Sequence, residues 1–192
     1  MRQRAWFWFA AIAAVILLPV AIAWPLGGLA DAARAEPARY SLGQPIKGQR
    51  HHLVPRRAVF TTKDPSPAFG VPRKGRFVVL DLEVTNVSSL PSLVSQLSGT
   101  LAVGLDGRPA GPVLDQSVVR AGGRAGDVLN PGIPETVRLS WEVDEAPERM
   151  SVAVTDEVRE PSWSLLGYAS GTSLWYMGET PMGVLETPLE RE

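Results

Sequence analysis

Cysteine is absent from the chain, and that one absence closes several routes. Disulfides, zinc–thiolate sites, a Cys nucleophile and a lipid-modified cysteine are all excluded. Histidine is scarce: His51 and His52 are the only two, and they are adjacent. Neighbouring residues on a strand point to opposite faces, so the pair reads as exposed and solvated, and a metal site would need further ligands. A surplus of one charge is also lacking, with 19 basic against 20 acidic residues. Setting aside Arg2 and Arg4, which precede an apolar stretch, leaves 17 against 20. A nucleic-acid binder would be expected to show a basic face, and no run of like charge supplies one. No Gly-x-Ser-x-Gly elbow occurs, so a serine triad would have to draw on one of the two adjacent histidines. Met177 and Met182 have no Cys or His near them in sequence, which favours packing over a soft-metal site. These gaps predict a protein with no cofactor, no metal, no nucleic-acid partner and no enzymatic activity.

What is abundant is apolar residues near the start. From Ala5 to Ala30 there are 26 residues without a charge. About 20 apolar residues in a helix cross a bilayer, whereas the apolar region of a signal peptide runs to about 7–15. Trp6 and Trp8 stand at one end and Trp24 at the other. From Trp6 to Trp24 a helix rises about 27 Å, the separation of the two membrane interfaces where Trp collects. The stretch predicts a retained single-pass anchor in the cytoplasmic membrane, with the chain beyond about residue 31 extracytoplasmic. The alternative is a cleaved signal and a secreted chain: Ala21-Ile22-Ala23 and Ala33-Arg34-Ala35 both fit small-x-small cleavage patterns. Trp24-Pro25-Leu26 is not the polar start of a typical mature chain.

Residues 31–50, rich in Ala, Arg, Pro and Gly, read as a linker. After them, period 2 dominates. In "RFVVLDLEVTNV" (76–87), Val78, Leu80, Leu82 and Val84 share one face, and Asp81, Glu83 and Thr85 the other. "TVRLSWEV" (136–143) repeats this with Val137, Leu139, Trp141 and Val143 inward. "RMSVAVTD" (149–156) does so through Met150, Val152 and Val154, and "GTLAVGLDG" (99–107) through Leu101, Val103 and Leu105. "HHLVPRRAVFTT" (51–62) is a weaker first strand, whose Pro55 suggests an edge. Asp106-Gly107 and Asn130-Pro131-Gly132 carry turn chemistry. Short strands with turn signals at such intervals predict an all-β, antiparallel β-sandwich across 51–160. Trp141 is the right size to fill space between its sheets.

"KGRFVVLDLEVTNVS" (74–88) and "LNPGIPETVRLSWEV" (129–143) resemble a bacterial family of secreted immunoglobulin-like domains of unknown function. That family is found in lipoproteins and exported proteins and includes relatives of a small secreted mycobacterial immunogenic protein. The features that carry the resemblance fall on Gly75, Phe77, Val78, Val79, Thr85, Asn86, Asp106, Gly107, Leu129, Pro131, Gly132 and Trp141. The resemblance spans about 72–158 and implies an immunoglobulin-like fold outside the cytoplasm. It implies no catalytic residues, and this chain lacks the cysteine that the lipoprotein members use.

Among residues able to carry chemistry, Asp81 and Glu83 sit two apart on a wet strand face. Arg partners on neighbouring strands are expected for them, rather than acid–base work or calcium. Asp144, Glu145 and Glu148 read as a solvated loop, and Asn86 as a turn-closing residue. The 18 residues from Pro161 to Gly178 carry no charge, unusual for a solvated tail. Residues 161–192 therefore form an aromatic C-terminal extension. It either covers an open side of the sandwich, adding a strand near 183–189, or binds a partner through Trp163, Tyr168, Trp175 and Tyr176. The expected function is a membrane-anchored extracytoplasmic module that binds or supports another cell-envelope component. The alternative is a secreted small-ligand or metal-ion carrier.

Overall fold

The computed structural model describes residues 36–66, 71–120, 125–163 and 169–192. The expected anchor at 1–30 lies outside the described residues, as do residues 31–35 of the expected linker. Among the described residues no helix is long and apolar enough to cross a membrane.

In chain order the strands are β1 (Ala38–Tyr40), β2 (Ile46–Lys47), β3 (His51–Thr61), β4 (Phe77–Asn86) and β5 (Ser92–Leu93). A one-turn helix, α1 (Val94–Gly99), follows. Then come β6 (Leu101–Leu105), β7 (Arg108–Pro109), β8 (Asp115–Val119), β9 (Ala125–Gly126), β10 (Val128–Leu129) and β11 (Pro134–Glu142). The chain closes with β12 (Arg149–Trp163), β13 (Ala169–Pro188) and β14 (Glu190–Arg191). One sheet has the order β14-β3-β4-β11-β8-β9, with β2 also on β3. The other has the order β1-β13-β12-β6-β7, and β10 pairs separately with β5.

The two large sheets share one core, and the alternation in the sequence decides which residues enter it. Val78, Leu80, Leu82 and Val84 of β4 and Val137, Leu139 and Trp141 of β11 are each at most 3% exposed. They form one cluster with Met150, Val152 and Val154 of β12 and Leu185 of β13. Each such aliphatic side chain contributes about 1.5–3 kcal/mol on burial. The turns follow their residues. Asp106 and Gly107 both take positive φ (48° and 77°), the type I′ hairpin pattern. Gly132 after Pro131 has φ 71°, as a type II turn requires.

Three expectations are corrected. Residues 38–47 are not linker: β1 pairs in parallel with β13 and β2 antiparallel with β3. These strands are too short to leave a period in the sequence. Pro55 does not make β3 a bare edge. β2 lies beside Leu53 and His52, and β14 beside Val59 and Phe60. Pro55 falls in the gap between them, at a register shift against β4, where its missing N–H costs no rung. The strand expected near 183–189 is present but far longer: β13 begins at Ala169 and lies between β1 and β12, with Leu185 and Thr187 buried.

Candidate functional site

The alternation of β3 places His51 on the same face as Leu53 and Pro55, all three buried. His51 is 5% exposed, which overturns the expectation of an exposed histidine pair; His52, pointing the other way, is half-buried. His51 Nε2 lies 2.8 Å from Ser92 Oγ, and Nδ1 lies 3.0 Å from Glu157 Oε2. That second contact does not meet hydrogen-bond geometry, and Oε2 has no hydrogen-bond partner. Glu157 Oε1 accepts from Arg50 Nη1 at 2.6 Å. Arg50 Nη2 donates to Gln96 Oε1 at 3.1 Å, and the guanidinium lies 5.3 Å from the centre of the Trp175 ring, a cation–π distance.

At the other end Asn86, fully buried, holds the loop that delivers Ser92. Its Nδ2 donates to Leu90 O (2.8 Å), Leu129 O (3.2 Å) and Ser92 Oγ (3.3 Å). Its Oδ1 accepts from Ser88 N and Ser88 Oγ, so the turn-closing role expected of Asn86 is present. The result is a continuous polar chain, Asn86–Ser92–His51–Glu157–Arg50, crossing one end of the sandwich. Burial alone would raise the Glu157 pKa. The close contacts of His51 and Arg50 outweigh it and hold Glu157 below the usual Glu range.

The order of contacts Ser92–His51–Glu157 matches that of a hydrolytic triad. The surroundings do not match. Ser92 is 3% exposed, and its Oγ is occupied by His51 and Asn86. A nucleophile needs its electrophile held at about 3–3.5 Å. The adjoining groove stops at Arg50, Gln96 and Glu157, and Ser92 is not part of its lining.

That groove has a volume of about 570 Å³. It is lined by Leu90, Ser95, Gln96, Gly99 and Thr100, by Leu174, Trp175, Tyr176 and Met177 of β13, and by Arg50 and Glu157. Of the four sequence-predicted partner residues, the structure brings Trp175 and Tyr176 to this groove. Trp175 is half-buried against Arg50, and Tyr176 is 44% exposed. The backbone of Trp163 pairs with Ala169; the Trp163 side chain and Tyr168 lie outside the described residues. Met182 packs on the core, but Met177 is 60% exposed rather than packed.

The other candidates resolve into ordinary contacts. Asp81 takes a two-pronged contact from Arg138 of β11 at 2.8 and 2.9 Å. Glu83 pairs with Arg56 of β3 at 2.9 Å. These are the Arg partners expected on neighbouring strands. Asp144, Glu145 and Glu148 are exposed. Among the described residues no three His, Asp or Glu side chains converge as metal ligands.

No family model matches the chain, and no curated protein matches it. Three solved structures are similar in outline. One is an uncharacterized β-sandwich protein from Clostridium difficile 630, 10% identical, with a TM-score of 0.47 over 74% of this chain and 94% of that one. Another, described as a putative lipoprotein from Staphylococcus aureus, is 9% identical, with a TM-score of 0.44 over 80% and 95%. A third, given the same description and from Bacillus subtilis, is 11% identical, with a TM-score of 0.40 over 78% and 39%.

Proposed function

We propose that the chain is an extracytoplasmic, immunoglobulin-like module, held at the cytoplasmic membrane by residues 5–30, whose groove receives another cell-envelope component. The observation that carries this reading is the groove wall. Leu174, Tyr176 and Met177 are 50%, 44% and 60% exposed within four residues of β13, beside a ring already engaged by Arg50. Exposed apolar patches rimmed by polar residues mark binding surfaces, and aromatic anchors dominate interface energetics. The buried Arg50–Glu157 pair beneath the groove is charge-balanced, which suits an uncharged apolar segment better than an ion. The triad-like contacts add no catalytic role to this reading, because Ser92 is 3% exposed and lies outside the groove lining.

Recovery of a partner from detergent-solubilised membranes tests the reading. Wild type is compared with Tyr176→Ala/Met177→Ala, two exposed positions whose truncation spares the core. Loss of a specific partner in the double variant is expected, and an unchanged set of partners refutes the groove. A second reading, a small-ligand carrier, is favoured by the groove volume, which falls in the range of about 300–1,000 Å³ typical of ligand pockets. An apolar molecule extracted with the purified protein, in place of a partner, would select it.

A further inference from the structure

β12 and β13 outrun the sheet to which they belong. β6 ends its pairing with β12 at Leu101↔Val154, and β1 pairs with β13 only from Gly183 to Leu185. Beyond those rungs the two strands pair with each other as far as Trp163↔Ala169. Among the described residues no third strand joins them there. Among the described residues, the outer edge of β13 therefore presents a row of backbone N–H and C=O groups without a strand partner.

Edges of this kind are normally blunted with charges, proline or a short length. This one has none of those devices. Residues 161–178 contain no Asp, Glu, Lys or Arg, and no proline falls between Pro161 and Pro181. Thr172, Leu174, Trp175 and Tyr176 are residues that favour strands or pack well on them. Leu174, Tyr176 and Met177 leave much of their apolar surface in water.

We infer that the edge of β13 at about residues 171–178 pairs antiparallel with the same edge of a second copy of this chain, about a twofold axis. Antiparallel self-pairing sets a strand against its own sequence. In a charged edge that arrangement opposes like charges, which is destabilising; here no charge faces another. A charged foreign strand would gain no counter-ion from this edge. Eight residues at about 3.4 Å each give a contact about 27 Å long. The twofold pairing closes on itself, so it ends at a dimer and does not propagate as a fibre. It uses backbone along the edge, whereas the proposed groove uses side chains, so either can fail without the other.

The test uses the full-length protein in detergent, carrying a benzophenone photo-crosslinking side chain at position 174. Irradiation is expected to give a product of twice the chain mass, with residues 169–178 of two copies joined. Because the native chain has no cysteine, a single-cysteine series at Thr172, Ser173 and Leu174 gives an independent reading. A disulfide dimer is expected where the twofold brings Cα atoms within about 4.4–6.8 Å. No dimer is expected from Val119→Cys, an exposed position on β8 in the other sheet. Light scattering should then fall from the double to the single chain mass in Ser173→Lys. A crosslink within one chain to residues 1–35 would overturn the inference by showing that the chain covers its own edge. A crosslink to another protein would assign the edge to a different partner. A single-chain mass with no crosslink and no disulfide would leave the edge to water. Each of these outcomes refutes the second copy.

Discussion

Glu157→Gln isolates the charge at the centre of the polar chain, because it keeps the shape of the side chain. Arg50 and Glu157 are 7% and 9% exposed and meet at 2.6 Å. Removing the acid leaves a buried guanidinium with no counter-charge. Breaking a buried pair from one side costs about 3–5 kcal/mol. Gln96 and the Trp175 ring still contact the guanidinium, so the lower end, about 3 kcal/mol, is expected. In urea, where m is about 1–3 kcal/mol per molar for small proteins, the midpoint should fall by at least about 1 M with m unchanged. Arg50→Met/Glu157→Leu, which removes both charges, should recover most of the loss. The effect is pH-dependent, with a definite sign. The folded pKa of Glu157 is depressed. Its stabilisation is therefore present above the unfolded value of about 4.3 and is lost as pH falls through the lower folded value. The gap between wild type and Glu157→Gln should be widest near neutrality and close in acid. A loss under about 1 kcal/mol at pH 7, or a gap that does not shrink below about pH 4, would refute the cluster as a charge-stabilised element.

Three further outcomes are expected. Trp141→Ala should cost about 3–5 kcal/mol in denaturant unfolding, since Trp141 is 1% exposed between the sheets; a loss below about 1 kcal/mol would be incompatible with that burial. Ser92→Ala should cost about 1–3 kcal/mol by orphaning His51 Nε2, and wild-type protein should resist a serine-directed fluorophosphonate probe. Labelling that disappears in Ser92→Ala would make Ser92 a nucleophile. Intact mass of the native protein should show Ala5 to Ala30 retained, and a mature start at Trp24 or Glu36 would convert the anchor into a removed signal.

The strands that build the core were legible because one of their faces is entirely apolar. β4, β11 and the first part of β12 state their inward residues by alternation, and Trp141 follows from its neighbours. The site was harder to read, for identifiable reasons. His51 was within reach, since it alternates with Leu53 and Pro55; two adjacent histidines invited a solvated reading instead. Glu157 was not within reach. Simple alternation from Val152 and Val154 points Asp156 inward, but register shifts between Val154 and Glu157 turn Glu157 inward in its place. Ser92 and Asn86 meet His51 only through a loop closed by long-range pairing of β5 with β10. The end of β13 was expected near 183–189, but its first half escaped notice because it consists of small, polar and aromatic residues without a two-residue period.

The position of the polar chain connects these points. Glu157 stands where β12 leaves β6 and the core alternation breaks, and there the inward side chain changes from Val154 to a carboxylate. An apolar residue would fill that place at no electrostatic cost, and a buried pair is on average no more stabilising than the apolar contact it replaces. What the charged residues add is direction. Glu157 on β12 is held by Arg50 and His51 from the start of β3, and Arg50 is held in turn by Gln96 of α1 and the Trp175 ring of β13. Four separate segments are thereby fixed at one point, each by a contact with limited tolerance in distance and angle. Beyond that point, among the described residues, no further strand joins the β12–β13 ribbon to set its angle, and a two-stranded ribbon alone is marginally stable in water. The cluster thus acts as the hinge-pin of the ribbon. It links buried polar groups to the exposed side chains Leu174, Tyr176 and Met177 beside the groove.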